Sequence, residues 1–321
     1  IMLAHMFFSD LDEILIEDWY KYCSGIGMSF FFGDYNKMIE KLLGKARYWF
    51  FDIGRYDSRQ HPFLHSHQTQ VINNVYPVRF LSFFSLLGSL GSRAVILGLK
   101  NFKFDSWRVR HQITYDTQFS FVIMPRGEIY RTERGEKSGG HRTSAANTGD
   151  QKIVEFAAAS RFYNTLDEYI SAGFVNYHTG DDNLGGGPDE TVPRLIVKYW
   201  EDLGASVDVR FVTSIEQCDY LSSVPVFIDF DFFSAWLPKV NSSKVISGLS
   251  NKHHTDNPEV TLQRIISALI LCYWTEDRIN LQIVLKLFLL DYPKLSNHPC
   301  IKSHDEIVAL YVGTLEVQSI R

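Results

Sequence analysis

The chain has 321 residues, 45% hydrophobic and 14% aromatic, enough for two or three packed subregions with a sizeable core. Its 32 Lys/Arg against 37 Asp/Glu give a formal net charge of −5, which argues against a globally basic nucleic-acid surface. Four cysteines (Cys23, Cys218, Cys272, Cys300), none in CxxC spacing, exclude a zinc ribbon and a disulfide framework and fit a reducing compartment.

Residues 1–46 read as helices joined by loops, "DLDEILIEDWYKYC" and "YNKMIEKLLGKA". "RYWFFDI" (Arg47–Ile53) is a short bulky run between turn residues and predicts a buried strand. Residues 61–100 read as mostly helical. Within them, Phe80–Leu99 is apolar but broken by Arg93, three glycines and several serines, so it reads as buried helix and not as a membrane span. "QFSFVIM" (Gln118–Met124) alternates like a strand, and "ERGEKSGG" is a polar loop. Arg142 to about Ile170 reads as one helix, weakened at Gly149 by about 1 kcal/mol relative to Ala. Gly149-Asp150 is expected to kink it.

"GFVNYHTGDDNL" reads as strand, tight turn, strand. A helix follows over Val192–Leu203, with Pro193 in its first turn and Gly204 at C′. "SVDVRFV" is a strand, and "YLSSVPVFI" a strand pair about a tight turn. From about Thr261, "LQRIISALILCYW" and "INLQIVLKLFLL" are helices.

The chemistry-bearing residues cluster around the acidic turn. Two divalent cations about 3.5–4 Å apart need bridging carboxylates on rigid elements. Asp181 and Asp182 sit at a hairpin tip, and Asp52 ends the strand "RYWFFD"; if these strands are neighbours, Asp52 and Asp181 can share a metal pair. Asp57 lies five residues beyond Asp52. In "SGGHRTSAANT" (Ser138–Thr148), Thr143 and Asn147 are four apart on one helix face, behind a Ser138-Gly139-Gly140 loop. A carboxylate (Asp57) and a carboxamide (Asn147) aimed at one point grip a sugar hydroxyl and penalise a ligand lacking it. That is chemistry for choosing ribose over deoxyribose.

"DIGRYD" (Asp52–Asp57), "SGGHRTSAANT" and "TGDD" (Thr179–Asp182), in that order and at these spacings, resemble motifs A, B and C of viral RNA-directed RNA polymerases. A helix–Gly–strand unit and a hairpin follow, where that family has motifs D and E. The resemblance covers about residues 47–230. "DSRQH", "AANT" and "GDDN" are similar to the double-stranded RNA virus enzymes, and "YLSSVPVFI…LPKV" to positive-strand ones; the two lineages stay open.

The resemblance implies an α+β fold: a right-hand polymerase palm, an antiparallel sheet with helices behind it, plus partial fingers and a helical thumb. Residues 1–46 would be a remnant of the fingers, 47–230 the palm with an inserted fingers segment at about 61–125, and 231–321 the thumb. Asp52, Asp181 and Asp182 would be the catalytic ligands of two Mg2+ or Mn2+ ions. Asp57, Asn147 and Thr143 would select the ribose and NTP. Ser138, Gly139 and Thr143 would touch template or nucleotide. Cys218, Leu221 and Ser222 would form the primer grip. The family's motif D lysine is missing from "LGASVDVRF", leaving Arg210 or Lys198 as general acid; Arg gives up a proton poorly. Implied partners are RNA template and nascent strand, NTPs and other viral replication proteins. The implied place is the host cytoplasm, in a replication complex, or a virion core for a double-stranded RNA virus.

Two alternatives remain beside this reading. A reverse transcriptase shares the aspartates, but the Asp57/Asn147 pair favours ribonucleotides. A non-catalytic palm-like RNA-binding module is the other, against which stand all three aspartates. A calcium loop in "DDNLGGGPDETV" is discounted, since its twelfth place is Val192 and not a bidentate Glu. His61, His65 and His67 read as surface residues, and His178 is open between solvent and the site.

The basic fingers segment of the family should lie before Asp52. Residues 1–47 instead hold five Lys/Arg against seven Asp/Glu, and the sequence begins Ile-Met, so a slice of a longer polypeptide is expected. Lys100–Arg142 holds nine Lys/Arg against five Asp/Glu, which suits either a template channel or an ordinary solvated surface. This chain alone is expected not to extend a primed RNA template; robust extension in a primer assay would contradict that.

Overall fold

The computed structural model describes residues 13, 16–54, 56, 61–75, 80–82, 103–119, 121–132, 143–230, 233–250 and 257–313. Its helices, in chain order, are α1 (Trp19–Tyr22), α2 (Asp34–Leu42), α3 (Pro62–Val75), α4 (Ser106–Gln118), α5 (Thr143–Ala159), α6 (Leu166–Ser171), α7 (Thr191–Asp202), α8 (Ser242–Ser250), α9 (Pro258–Leu271), α10 (Arg278–Asp291) and α11 (His304–Val312). The strands are β1 (Arg47–Gly54), β2 (Phe80–Ser82), β3 (Lys103–Asp105), β4 (Phe121–Ile123), β5 (Ile129–Arg131), β6 (Val175–Thr179), β7 (Asp182–Gly187), β8 (Ser206–Val212), β9 (Ser223–Asp229) and β10 (Ser234–Val240). Two compact units result: Ile1–Gly27 with Phe51–Phe211, and Met28–Phe50 with Val212–Arg321.

The first unit holds a four-stranded sheet in the order β6-β7-β1-β8. In β1 the residues Tyr48, Trp49, Phe51 and Ile53 are buried while Asp52 faces solvent. β6 and β7 form an antiparallel hairpin in the register Tyr177↔Leu184, His178↔Asn183 and Thr179↔Asp182. Behind it α5 packs on α3, α7 and β6. Its alanines favour helix, and Ala145, Ala146, Val154, Ala158 and Ala159 are buried.

α7 is amphipathic, burying Val192, Ile196, Val197 and Trp200. It ends in a Schellman motif: Gly204 N–H bonds Glu201 O at 2.9 Å and Ala205 N–H bonds Trp200 O at 3.0 Å. Gly204 needs its φ of +89° for this.

The structure bears on three helix expectations. The single helix over Arg142–Ile170 is two, α5 and α6. Thr165 caps α6 by accepting from Glu168 N at 3.1 Å, and such an N-cap with Glu at N3 is a helix-start signal. At Gly149, where a kink is expected, α5 stays continuous from Thr143 to Ala159. The reason is packing. Gln68 of α3 lays its amide where a Cβ at Gly149 would sit, 1.8 Å from that position, and donates to Ala146 O at 3.1 Å. Third, the run Phe80–Leu99 begins as strand β2, paired with β3; its later residues lie outside the described ones. Among the described residues, no helix is long and apolar enough to cross a membrane.

In the second unit α2 buries Tyr35, Met38, Ile39 and Leu42 and packs on β10. Asn36 Oδ1 accepts from Trp236 N at 2.8 Å. β9 and β10 form an antiparallel hairpin from Ser223↔Val240 to Asp229↔Ser234. One cluster joins Ala235, Leu237, Tyr273, Ile307, Val308, Tyr311 and Val312, and another joins Ala268, Leu269, Cys272 and Leu281.

Gly149→Ala tests the packing account. A helix-interior Ala normally stabilises by about 1 kcal/mol over Gly. Here the Gln68 amide must move aside and give up its bond to Ala146 O, a loss of about 1 kcal/mol that cancels the gain. The stabilisation returns in the Gln68→Ala background, measured by urea denaturation of all four variants of the cycle.

Candidate active site

The acidic turn is built by the shortest hairpin connection. Thr179↔Asp182 is the last ladder pair, so Gly180 and Asp181 form a two-residue loop. Gly180 has φ +62° and Asp181 is not left-handed, the sign pattern of a type II′ turn with Gly first. Asp181 is exposed, and Asp182, the first residue of β7, is partly buried. The strand carrying Asp52 is the immediate sheet neighbour of β7. Two adjacent strands therefore supply the three carboxylates.

Carboxylate oxygens are the donors Mg2+ and Mn2+ take, so the chemistry of this set fits such ions. Among the described residues, no three His, Cys, Asp or Glu side chains close to metal-holding distance.

The turn is tied to α5 by side chains that the sequence reading passed over. Thr148 Oγ1 accepts from Gly180 N at 3.0 Å. Gln151 Nε2 donates to Gly180 O at 2.5 Å and lies 3.5 Å from Asp182 O. Gln151 Oε1 is 2.7 Å from His178 Nδ1, and His178 Nε2 is 3.0 Å from Glu155 Oε2. Glu155 also accepts from Lys152 Nζ at 3.0 Å and Tyr169 OH at 2.9 Å. Lys152 donates further to Asn176 O, and Asn183 Nδ2 to Asn176 Oδ1 and Tyr177 O. Asn176, His178 and Asn183 are all buried. His178 therefore faces α5, and neither solvent nor the exposed side of the turn.

Two signals for this network stand in the sequence. Thr148, Gln151 and Glu155 are spaced three and four apart, one helix stripe. Asn176 and His178 alternate on one face of β6.

Burial by itself would raise the Glu155 pKa; Lys152 and His178 outweigh it and hold the carboxyl at about 2. Burial, with Lys152 adding, pushes His178 down to about 4 against the pull of Glu155. Burial and Glu155 push Tyr169 far up.

The other sequence-derived residues are placed as follows. Asn147 is buried on α5, 4% exposed, and its backbone carbonyl accepts from Tyr56 OH at 3.1 Å; it is not a surface amide. Thr143 opens α5 and is partly buried. Asp57, Ser138 and Gly139 lie outside the described residues. Lys198 is exposed on α7 and Arg210 exposed on β8. Of the three clustered histidines, His61 and His67 are exposed, but His65 is buried, with Nδ1 3.8 Å from Asp150 Oδ2. The surface reading fails there because α3 turns that histidine toward α5.

In the second unit, Leu221 and Ser222 have φ of +52° and +58°. Tyr220 and Ser223 exchange both backbone hydrogen bonds around them, at 2.9 and 3.0 Å, the frame of a type I′ turn without glycine. The expected strand pair is corrected here: Tyr220 forms only an isolated bridge, and β9 pairs downstream with β10. Cys218 is buried, its thiol pushed up to about 12 by burial and Glu216.

No family model and no curated protein matches the sequence. A solved structure does: the Sicinivirus 3Dpol RNA dependent RNA polymerase, at a TM-score of 0.68 and 14% identity, over 97% of this chain and 60% of that one. The chain thus spans about 60% of the length of that polymerase. The likeness is one of fold, and the fold is polymerase-like, mixed helix and sheet with an antiparallel sheet.

The buried network fixes the sign of a pH dependence. His178 titrates near 6.5 unfolded and at about 4 folded, and Glu155 at 4.5 unfolded and about 2 folded. Both folded values are depressed, so their stability is complete above about pH 6.5. It is lost first through the His178 window, 6.5 to 4, and then through the Glu155 window, 4.5 to 2. Urea midpoints should fall from about pH 7 to 4, and the fall between about 6.5 and 4.5 should shrink in His178→Gln. Equal slopes in the two proteins would contradict the assignment.

Proposed function

We propose that this chain is the palm-bearing part of a viral RNA-directed RNA polymerase, transferring nucleotides from NTPs to an RNA 3′-hydroxyl on an RNA template. The carrying observation is the placement of Asp52 on the strand beside the Gly180-Asp181-Asp182 hairpin, which α5 backs with Thr148 and Gln151. A polymerase-like fold around that hairpin adds support.

In this reading Asp52, Asp181 and Asp182 hold two Mg2+ or Mn2+ ions. When bound, such ions neutralise charge developing on the transferred phosphoryl group and on the attacking and leaving oxygens. The protein's own share is positioning. Asn147 and Asp57 hydrogen-bond the ribose 2′-hydroxyl, and a site built around that hydroxyl disfavours deoxyribose. Thr143, Ser138 and Gly139 contact template and incoming nucleotide. The Leu221–Ser222 turn, with buried Cys218 before it, lies against the nascent strand as primer grip. Arg210 or Lys198 serves as the general acid toward pyrophosphate.

By the same reading residues 47–230 form the palm with a fingers segment at about 61–125, residues 1–46 lead into it, and 231–321 form the thumb. RNA and other viral replication proteins are the partners, in a replication complex of the host cytoplasm or a virion core.

The test uses the polymerase that contains this chain. Asp181→Ala should lower RNA-templated incorporation by at least about hundredfold, as loss of a metal ligand removes several kcal/mol of transition-state stabilisation. Its melting temperature should stay at the wild-type value. Wild type should incorporate rNTPs in preference to dNTPs. Retained activity in Asp181→Ala would refute the metal role, and a dNTP preference would refute ribonucleotide selection.

A further inference from the structure

We infer that Gln151 is the positioning residue of the acidic turn: its amide locks the central peptide of the turn and so aims the Asp181 carboxylate. The inference rests on the reading of Asp181 and Asp182 as the metal-binding pair and adds what orients them.

Two-residue hairpin turns come in two forms, I′ and II′, that share a positive φ at the first central residue. They differ in the orientation of the central peptide and in the sign of φ at the second residue. In this hairpin the central peptide joins Gly180 to Asp181. Its carbonyl oxygen, Gly180 O, is the atom held by Gln151 Nε2 at 2.5 Å. Flipping this peptide would break that bond and drive Asp181 into the left-handed region, which aspartate tolerates better than most residues. Local sequence therefore favours the II′ form by about 1 kcal/mol, too little to hold the peptide by itself, and Asp181 would point differently in the flipped form. The structure has the form with Gly180 at +62° and Asp181 not left-handed.

The amide can sit only one way round. Two carbonyl oxygens, Gly180 O and Asp182 O, face Nε2. Carbonyls only accept, so the amide oxygen cannot take that place. That oxygen points instead to His178 Nδ1 at 2.7 Å. The preceding peptide is tied separately, through Gly180 N to Thr148 Oγ1. Peptides on both sides of Gly180 are thus anchored to one helix. Gln151 lies four residues beyond Asn147 and eight beyond Thr143 on that helix, so the ribose-facing side chains and the turn clamp share one rigid body. Gln151 itself is fully buried.

The test compares wild type, Gln151→Met and Gln151→Asn in this chain. Met keeps the length and removes the donor; Asn keeps an amide and withdraws it by one methylene. Hydrogen–deuterium exchange over the peptide spanning 177–184 should quicken about tenfold in both variants, the size of one lost hydrogen bond. Exchange over α5 should be unchanged, and a melting curve identifies a variant that fails to fold, the other then deciding. Mn2+ titration should show about tenfold weaker binding to the variants with unaltered RNA affinity. Unchanged exchange in a folded variant overturns the clamp. Faster exchange with wild-type Mn2+ affinity overturns its positioning role. If wild type and Asp181→Ala bind Mn2+ alike, the polymerase reading fails, while exchange still decides whether Gln151 holds the turn.

Discussion

The hydrogen bonds from α5 to Gly180 hold the peptides on both sides of the acidic turn, and the geometry of the site depends on them. The stripe Thr148, Gln151, Glu155 reaches across to β6 and the turn, and each member takes a different backbone or side-chain partner. The helix is locked in turn. Tyr56 donates to the carbonyl of Asn147, and Gln68 to that of Ala146 while filling the space over Gly149. A helix-interior glycine is a weakness in isolation. Here it admits the side chain that joins α3 to α5.

The network is polar and buried, which is costly unless complete. Glu155 accepts from Lys152 and Tyr169, and His178 Nε2 lies 3.0 Å from it. Removing one partner of a buried charge costs about 3–5 kcal/mol, whereas the intact pair gains little over an apolar core of the same shape. Its value is therefore in directional control. An apolar interface between α5 and β6 would bury as much surface yet leave the turn's carbonyls without donors. The strained turn at Leu221–Ser222 follows a related logic. Left-handed non-glycine residues cost about 1–2 kcal/mol each. They persist because Tyr220 and Ser223 pair around them, while Lys244 Nζ and Asn241 N hold the Ser222 side chain and carbonyl at 2.7 and 2.8 Å. Such strain marks positions where backbone shape matters more than local comfort.

Much of this protein was legible along the chain, because it depends on nearby residues. The strand carrying Asp52, the tight turn at Gly180, the helix over Thr191–Asp202 with its Gly204 stop, and the helices after about Thr261 all follow from alternation, 3.6-residue periodicity and turn chemistry. The order and spacing of the acidic, SG…T…N and GDD segments pointed to the fold that the structural likeness then shared. The split between α5 and α6 was also written there, in Thr165 and Glu168, but the apolar rhythm on either side masked it.

Only tertiary structure could decide the rest. Strand order put β1 beside β7, since no local pattern says which strands pair. Continuity through Gly149 depended on Gln68, 81 residues earlier in the chain. His178 and His65 turned inward because their partners, Gln151, Glu155 and Asp150, sit on a distant helix. The turn's Gly-Asp sequence favours the II′ form, and packing brings a donor from α5 onto its central carbonyl. Sequence fixes which conformations are cheap; contacts between segments far apart in the chain select among those that remain.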